Sequence, residues 1–126
     1  MKFSHLMTVL AVTAAGAAFA ADGHSHDAKP LHGGVVVEVR DIEYELVAKP
    51  DSLQLHLRDH GKPVDLSKAN AKLILLAGTD KQEVELKPGA ADKLDAKGSF
   101  KVATNTKVVA LVSRDGQLST ARFVLK

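Results

Sequence analysis

From residue 33 onward, apolar and polar positions alternate in short runs. In SLQLHLR, residues 52–58, Leu53, Leu55 and Leu57 are separated by Gln54, His56 and Arg58. A period of two sends one set of side chains to a core and the other to water, so the run predicts a strand. QEVELK, residues 82–87, alternates in the same way, with Val84 and Leu86 opposite Glu83 and Glu85. VVVEV (35–39) and IEYELVA (42–48) come first, and SFKVA (99–103), KVVALVS (107–113) and STARFVL (119–125) complete the set. AKLILLAG, residues 71–78, is apolar on both faces, as a central strand of two packed sheets would be.

Turn residues punctuate these runs: Lys49-Pro50-Asp51, Asp59-His60-Gly61-Lys62-Pro63, Gly78-Thr79-Asp80, Lys87-Pro88-Gly89 and Asp115-Gly116. They supply a preset or a positive φ where the chain reverses, and Asp115-Gly116 between two β-rich runs reads as a hairpin. PGAADKLDAKG, residues 88–98, has the alanines for a helical turn, but its glycines and proline argue against a full helix. The pattern predicts an all-β chain: an immunoglobulin-like antiparallel β-sandwich of about seven or eight strands over residues 35–126, behind a flexible His-rich leader, residues 21–34. Without a Cys…Trp…Cys signature, the architecture follows but not membership of the true immunoglobulin family.

The beginning of the chain changes the compartment. MKFSHLMTVLAVTAAGAAFA carries Lys2, an apolar run from Leu6 to Ala18, and the small-residue site Ala18-Phe19-Ala20. That is the layout of a secretory signal peptide, residues 1–20, cleaved before Ala21. Its apolar run is shorter than the ~20 residues a membrane-spanning helix needs, so no stable membrane anchor is expected after cleavage, and the mature protein is expected to be soluble and exported. Cleavage removes Lys2, His5 and both methionines, and lowers by one the formal charge of +2. So small and scattered a charge gives no footprint for nucleic acid. The chain has no cysteine, so the domain depends on its core rather than on disulfides. With no sulfur left after cleavage, it also lacks the soft ligands of a dedicated Cu(I) site.

What remains chemically distinctive is histidine. His24, His26 and His32 fall within nine residues of the leader, with Asp27 beside them, and only His56 and His60 lie beyond. Imidazole near neutral pH is largely deprotonated and ready to bind a metal. In extended backbone, residues i and i+2 lie ~6.8 Å apart on one side, so His24 and His26 can converge on one ion, with Asp27 as an oxygen donor. Nitrogens with one oxygen suit Zn(II) or Cu(II), and also Ni(II) or Co(II), rather than Mg(II) or Ca(II). Gly33 and Gly34 allow the backbone after His32 to bend or to approach another segment closely. His56 is expected on the polar face of its strand and His60 in the next turn, ~13 Å apart if the strand stays straight. Were the first strand paired beside the third, His32 would hang near His56, a fixed ligand beside a mobile chelator. Glu38, Glu43 and Glu45 are expected on solvated strand faces. Ordering nine leader residues costs on the order of 10 kcal/mol, so capture by two or three nitrogens should be reversible.

HSHDAKPLHGGVVVEV (24–39), YELVAKPDSLQLHLRDHGKPVDL (44–66) and the closing TARFVLK (120–126) together resemble a known family. It is the His-leader and β-sandwich module found ahead of some periplasmic adaptor proteins of heavy-metal efflux pumps, and in small stand-alone periplasmic relatives. The similarity spans nearly all of residues 24–126, and its most specific piece is His32-Gly33-Gly34 leading into VVVEV and then Glu45-Leu46. The resemblance implies handling of divalent or copper-group metals in the periplasm, with an efflux-pump component as a partner. It assigns metal handling to His24, His26 and His32, and less strongly to His56 and His60. The chain lacks the coiled-coil hairpin and barrel of a full adaptor, which sets it apart from a bridging pump component.

Two function classes therefore stand side by side: a reversible metal binder that buffers or delivers ions, and a non-catalytic envelope interaction module with a solvated His tail. An enzyme is not expected, since the chain has no G-x-S-x-G, H-E-x-x-H, cysteine nucleophile or Gly-rich phosphate loop.

Overall fold

The computed structural model describes residues 29–90 and 92–126. The expected signal peptide, together with His24, His26 and Asp27, lies outside the described residues. Among those described there are nine strands and no helix. They are β1 (Val35–Val39), β2 (Ile42–Lys49), β3 (Ser52–Asp59), β4 (Lys62–Pro63), β5 (Asn70–Ala77), β6 (Asp80–Pro88), β7 (Lys93–Lys97), β8 (Lys107–Arg114) and β9 (Gln117–Val124).

Every pairing is antiparallel, in the order β1-β2-β3-β7-β6-β5-β8-β9, with the two-residue β4 added beside β3. β6 joins the two halves, pairing along β5 and then, at Lys87 and Pro88, with β7. The end strands β1 and β9 lie close together without sharing a ladder, so the sheet wraps into a nearly closed, barrel-like sandwich. The all-β antiparallel fold thus stands as expected, with nine strands where about seven or eight were predicted.

Alternation decides what fills the interior. Leu53, Leu55 and Leu57 of β3 are buried, as are Leu73 and Leu75 of β5 and Phe123 of β9. The outer face of β5 is less covered than its composition predicted: Ile74 is half-buried and Leu76 is exposed.

One expected strand is replaced by another. Residues 99–103 form no strand, and β7 arises instead from KLDAK inside the alanine-rich stretch read as a possible helical turn. The reason is local. Leu94 is fully buried and pairs across from Leu55, so even this weak alternation has a core side. The chain then leaves the ladder, with Gly98 and Phe100 donating their amides to the carbonyls of Asp51 and Pro50. Phe100 and Val102 cover the core from a loop.

Three hairpin turns carry positive φ at both central residues: Arg40-Asp41 (51° and 66°), His60-Gly61 (51° and 81°) and Asp115-Gly116 (52° and 75°). That backbone matches the right-handed twist of the flanking strands. A Cβ at Gly116 meets nothing within 4 Å, so only the φ of +75° penalises a side chain there. Gly116→Ala is expected to lower stability by about 1 kcal/mol, read from the urea midpoint at unchanged slope.

Candidate functional site

β2 and β3 turn Tyr44, Leu46, Leu55 and Leu57 inward, leaving Glu43, Glu45, His56 and Arg58 on the opposite face. The register sets Glu45 directly across from His56 and Glu43 across from Arg58. Residues across a strand pair have Cβ atoms about 5 Å apart, so these four side chains form one group.

The face is not solvated. Residues 29–34 fold back over it, and Glu45, expected in water, has 0% of its surface exposed. Both carboxylate oxygens are doubly used. Oε1 accepts from Arg58 Nη1 at 2.8 Å and from the Leu31 amide at 3.0 Å. Oε2 accepts from the His32 amide at 2.8 Å and the Gly34 amide at 3.0 Å. Arg58 spreads its fork further: Nε donates to Glu43 at 3.1 Å and Nη2 to the Lys29 carbonyl at 3.3 Å. Burial alone would raise the Glu45 pKa, but Arg58 and the amides of Gly34, His32 and Leu31 together hold it down at about 2.

The two glycines divide the roles expected of them. Gly33 takes a φ of +75° and turns the segment, while Gly34 lies so close to β2 that a Cβ there would sit 2.3 Å from the Leu46 carbonyl oxygen. The clamp therefore needs a carboxylate below, a glycine above and an amide row between them.

It also places His32. Its ring stacks on that of His56, centroids 3.8 Å apart and planes 13° from parallel. The anticipated neighbourhood of His32 and His56 is thus observed, but by a different route. β1 pairs with β2, not with β3, and the segment before β1 carries His32 across the face. His56 Nε2 is buried and has no hydrogen-bond partner in the protein. Burial lowers the His56 pKa, the His32 ring, Lys93 and Arg58 lower it further, and Glu45 opposes them. A neutral imidazole with an unpartnered buried nitrogen is a donor atom available to a cation.

In-plane lone pairs of two parallel rings do not converge, so both histidines can meet one ion only if the exposed His32 ring tilts off the stack. Among the described residues, no group of three or more His, Asp or Glu side chains is arranged to hold a metal. His60 serves a different neighbourhood. It occupies the turn after β3, its Nδ1 contacts Asp59, and it borders a small cleft with Glu38, Asp41 and Glu43.

Sequence reasoning missed the Glu45–Arg58 clamp. Its signal was present as a charged residue on each of two neighbouring strands, beside buried positions. Charges on a strand's polar face ordinarily mean water, and nothing local indicates that a distant segment covers them.

No family model and no curated protein matches the chain. Among solved structures, it is similar to the Br derivative of BhCBM56, with a TM-score of 0.43 and 6% identity over 72% of this chain and 99% of that one. A likeness of that order carries no functional argument.

Proposed function

We propose that this chain is a periplasmic, non-catalytic metal-binding protein. It takes up a divalent transition metal, Zn(II) or Cu(II) and also Ni(II) or Co(II), through His24, His26 and His32. His56 serves as a fixed nitrogen beneath them, and the bound ion is buffered or delivered to a heavy-metal efflux system. The observation that carries this reading is the His32–His56 pair: a clamped backbone presents one imidazole over another that is neutral and unpartnered.

Chain length supports it. His26 precedes Lys29 by three residues, and three residues of chain span at most about 11 Å. With the Lys29 carbonyl held by Arg58, chain length alone bounds His26 to about 11 Å and His24 to about 18 Å from Lys29. The donor chemistry agrees, since imidazole and carboxylate without sulfur suit these ions and not Cu(I). The sequence resemblance to heavy-metal adaptor modules points the same way. Because the sandwich has its own core, metal is expected to bind without being needed for folding.

Calorimetric titration of the cleaved protein with each ion tests this. Changing His24, His26 and His32 together to Ala is expected to weaken binding at least about a hundredfold, near 3 kcal/mol. His56→Ala is expected to weaken it about tenfold, and His60→Ala by less than about twofold. Equal and negligible binding by the parent and the triple variant would end the proposal.

A further inference from the structure

We propose that the outer face of the β6-β5-β8-β9 sheet is a self-association surface, packing on a second copy of this chain about a two-fold axis parallel to the strands. This face carries three of the four exposed large apolar side chains among the described residues, with Lys72 and Lys107 exposed among them on the central strands. Leu118, Val124 and Leu76 are 66%, 51% and 37% exposed, and Ile74, Val109 and Leu111 beside them are only half-buried.

The register arranges these residues in rows across the sheet. One row reads Glu83, Ile74, Val109, Arg122, from β6 to β9. It begins with an acid, ends with a base and is apolar between. A two-fold axis running along the strands between β5 and β8 lays this row on its own reverse. Ile74 then faces Val109 of the second copy, Glu83 faces Arg122, and the symmetry repeats both contacts. Sheets pack about 10 Å apart, a gap that a glutamate and an arginine bridge end to end. An in-plane axis across the strands would instead set Glu83 over Glu85 of the second copy, which repel. The charge pattern therefore selects the first arrangement.

Two further features agree. Among the described residues Arg122 takes part in no ion pair, whereas Glu83 holds Lys72 at 3.0 Å and the more distant Lys81 at 3.5 Å. Arg122 of the second copy can replace Lys81 there. Leu118 stands across from Ser113 and Ser113 across from Asn70, so reversal brings the projecting Leu118 of the second copy past Asn70 on the β6 side, over a depression that Glu85, Lys87, Leu111 and the first copy's own Leu118 also border. Four strands about 4.8 Å apart and four rows about 6.8 Å apart give about 500 Å² per copy. A pair buries about 1,000 Å², the lower bound for a specific interface, so the dimer is weak and concentration-dependent.

Sedimentation velocity on the purified protein, from about 1 µM to about 1 mM, tests this without reference to metal. The expected result is a reversible dimer with a Kd of about 1–100 µM. Arg122→Glu and Glu83→Arg are each expected to weaken it at least about tenfold, while the double variant E83R/R122E recovers to within about threefold, because the exchanged charges meet again across the axis. Val109→Asp is expected to abolish it. Circular dichroism and amide NMR spectra establish that each variant is folded; the charge exchanges lie on an exposed face that the fold does not need. A monomer throughout the range, a dimer indifferent to both Arg122→Glu and Val109→Asp, or failure of the double exchange to recover association would each overturn the proposal.

Discussion

Glu45→Ala is expected to lower the folding free energy by about 3 kcal/mol or more, the largest effect of any single polar substitution in this chain. The carboxylate accepts four hydrogen bonds, and its removal leaves Arg58 with Glu43 as its remaining carboxylate partner. The Arg58 side chain is only 6% exposed, so water cannot readily replace what is lost. The amides of Leu31 and His32 belong to exposed residues and can rehydrate, which keeps the cost towards the lower end for a broken buried pair. Urea unfolding measures the change, and a loss below about 1 kcal/mol would show that the clamp contributes no net stability. The same variant should free His32 from His56, seen as loss of the ring-current shift between the two imidazoles.

Acidification removes the same interaction by degrees. Glu45 drops from an ordinary 4.5 to about 2 in the folded protein, so its contribution is complete above pH 4.5 and is lost as pH falls towards 2. Linkage puts the total at about 3 kcal/mol. His56 acts in the same direction but at higher pH. Its folded pKa lies below 6.5, so the unfolded chain takes up the proton first and stability begins to fall just under that value. Glu45→Ala should therefore flatten the pH dependence below 4.5 and, because it also frees His32 from His56, weaken the part nearer neutrality. His56→Phe, which keeps a ring under His32, should remove only the part nearer neutrality and leave the fall below 4.5.

How much of this was legible in the sequence depended on the distance between partners. The strands of β2, β3, β8 and β9 could be read directly because alternation is a local signal, and so could the Asp115-Gly116 turn. β7 could not, because its alternation rests on Leu94 and Ala96 within a run that composition marks as irregular. The site divides along the same line. A run of histidines is visible as composition, and the two glycines after His32 announced that backbone would bend or come close. That Glu45 receives that backbone depends on residues 31–34 crossing from one strand over two, which only tertiary structure decides. The carboxylate looked solvated because a polar strand face and a covered polar face have the same sequence.

Gly34 shows what the close approach requires. A methyl group there would lie 2.3 Å from the Leu46 carbonyl oxygen, 2.8 Å from its carbon and 3.1 Å from Val47 Cγ2. The first two are backbone atoms of β2, held in register by Val35 opposite Leu46, so they cannot give way. The segment must lift instead, and with it the Gly34 amide that donates to Glu45 at 3.0 Å. Gly34→Ala is therefore expected to cost about 2–3 kcal/mol and to separate the His32 and His56 rings. Gly33→Ala provides the contrast. Its Cβ meets nothing within 4 Å and only its φ of +75° is penalised, a cost of about 1 kcal/mol. Urea midpoints of the two variants, with the imidazole shifts of each, separate crowding from backbone strain. Equal losses, with the ring stack intact in both, would mean that the second glycine is not there to let the chain reach the carboxylate.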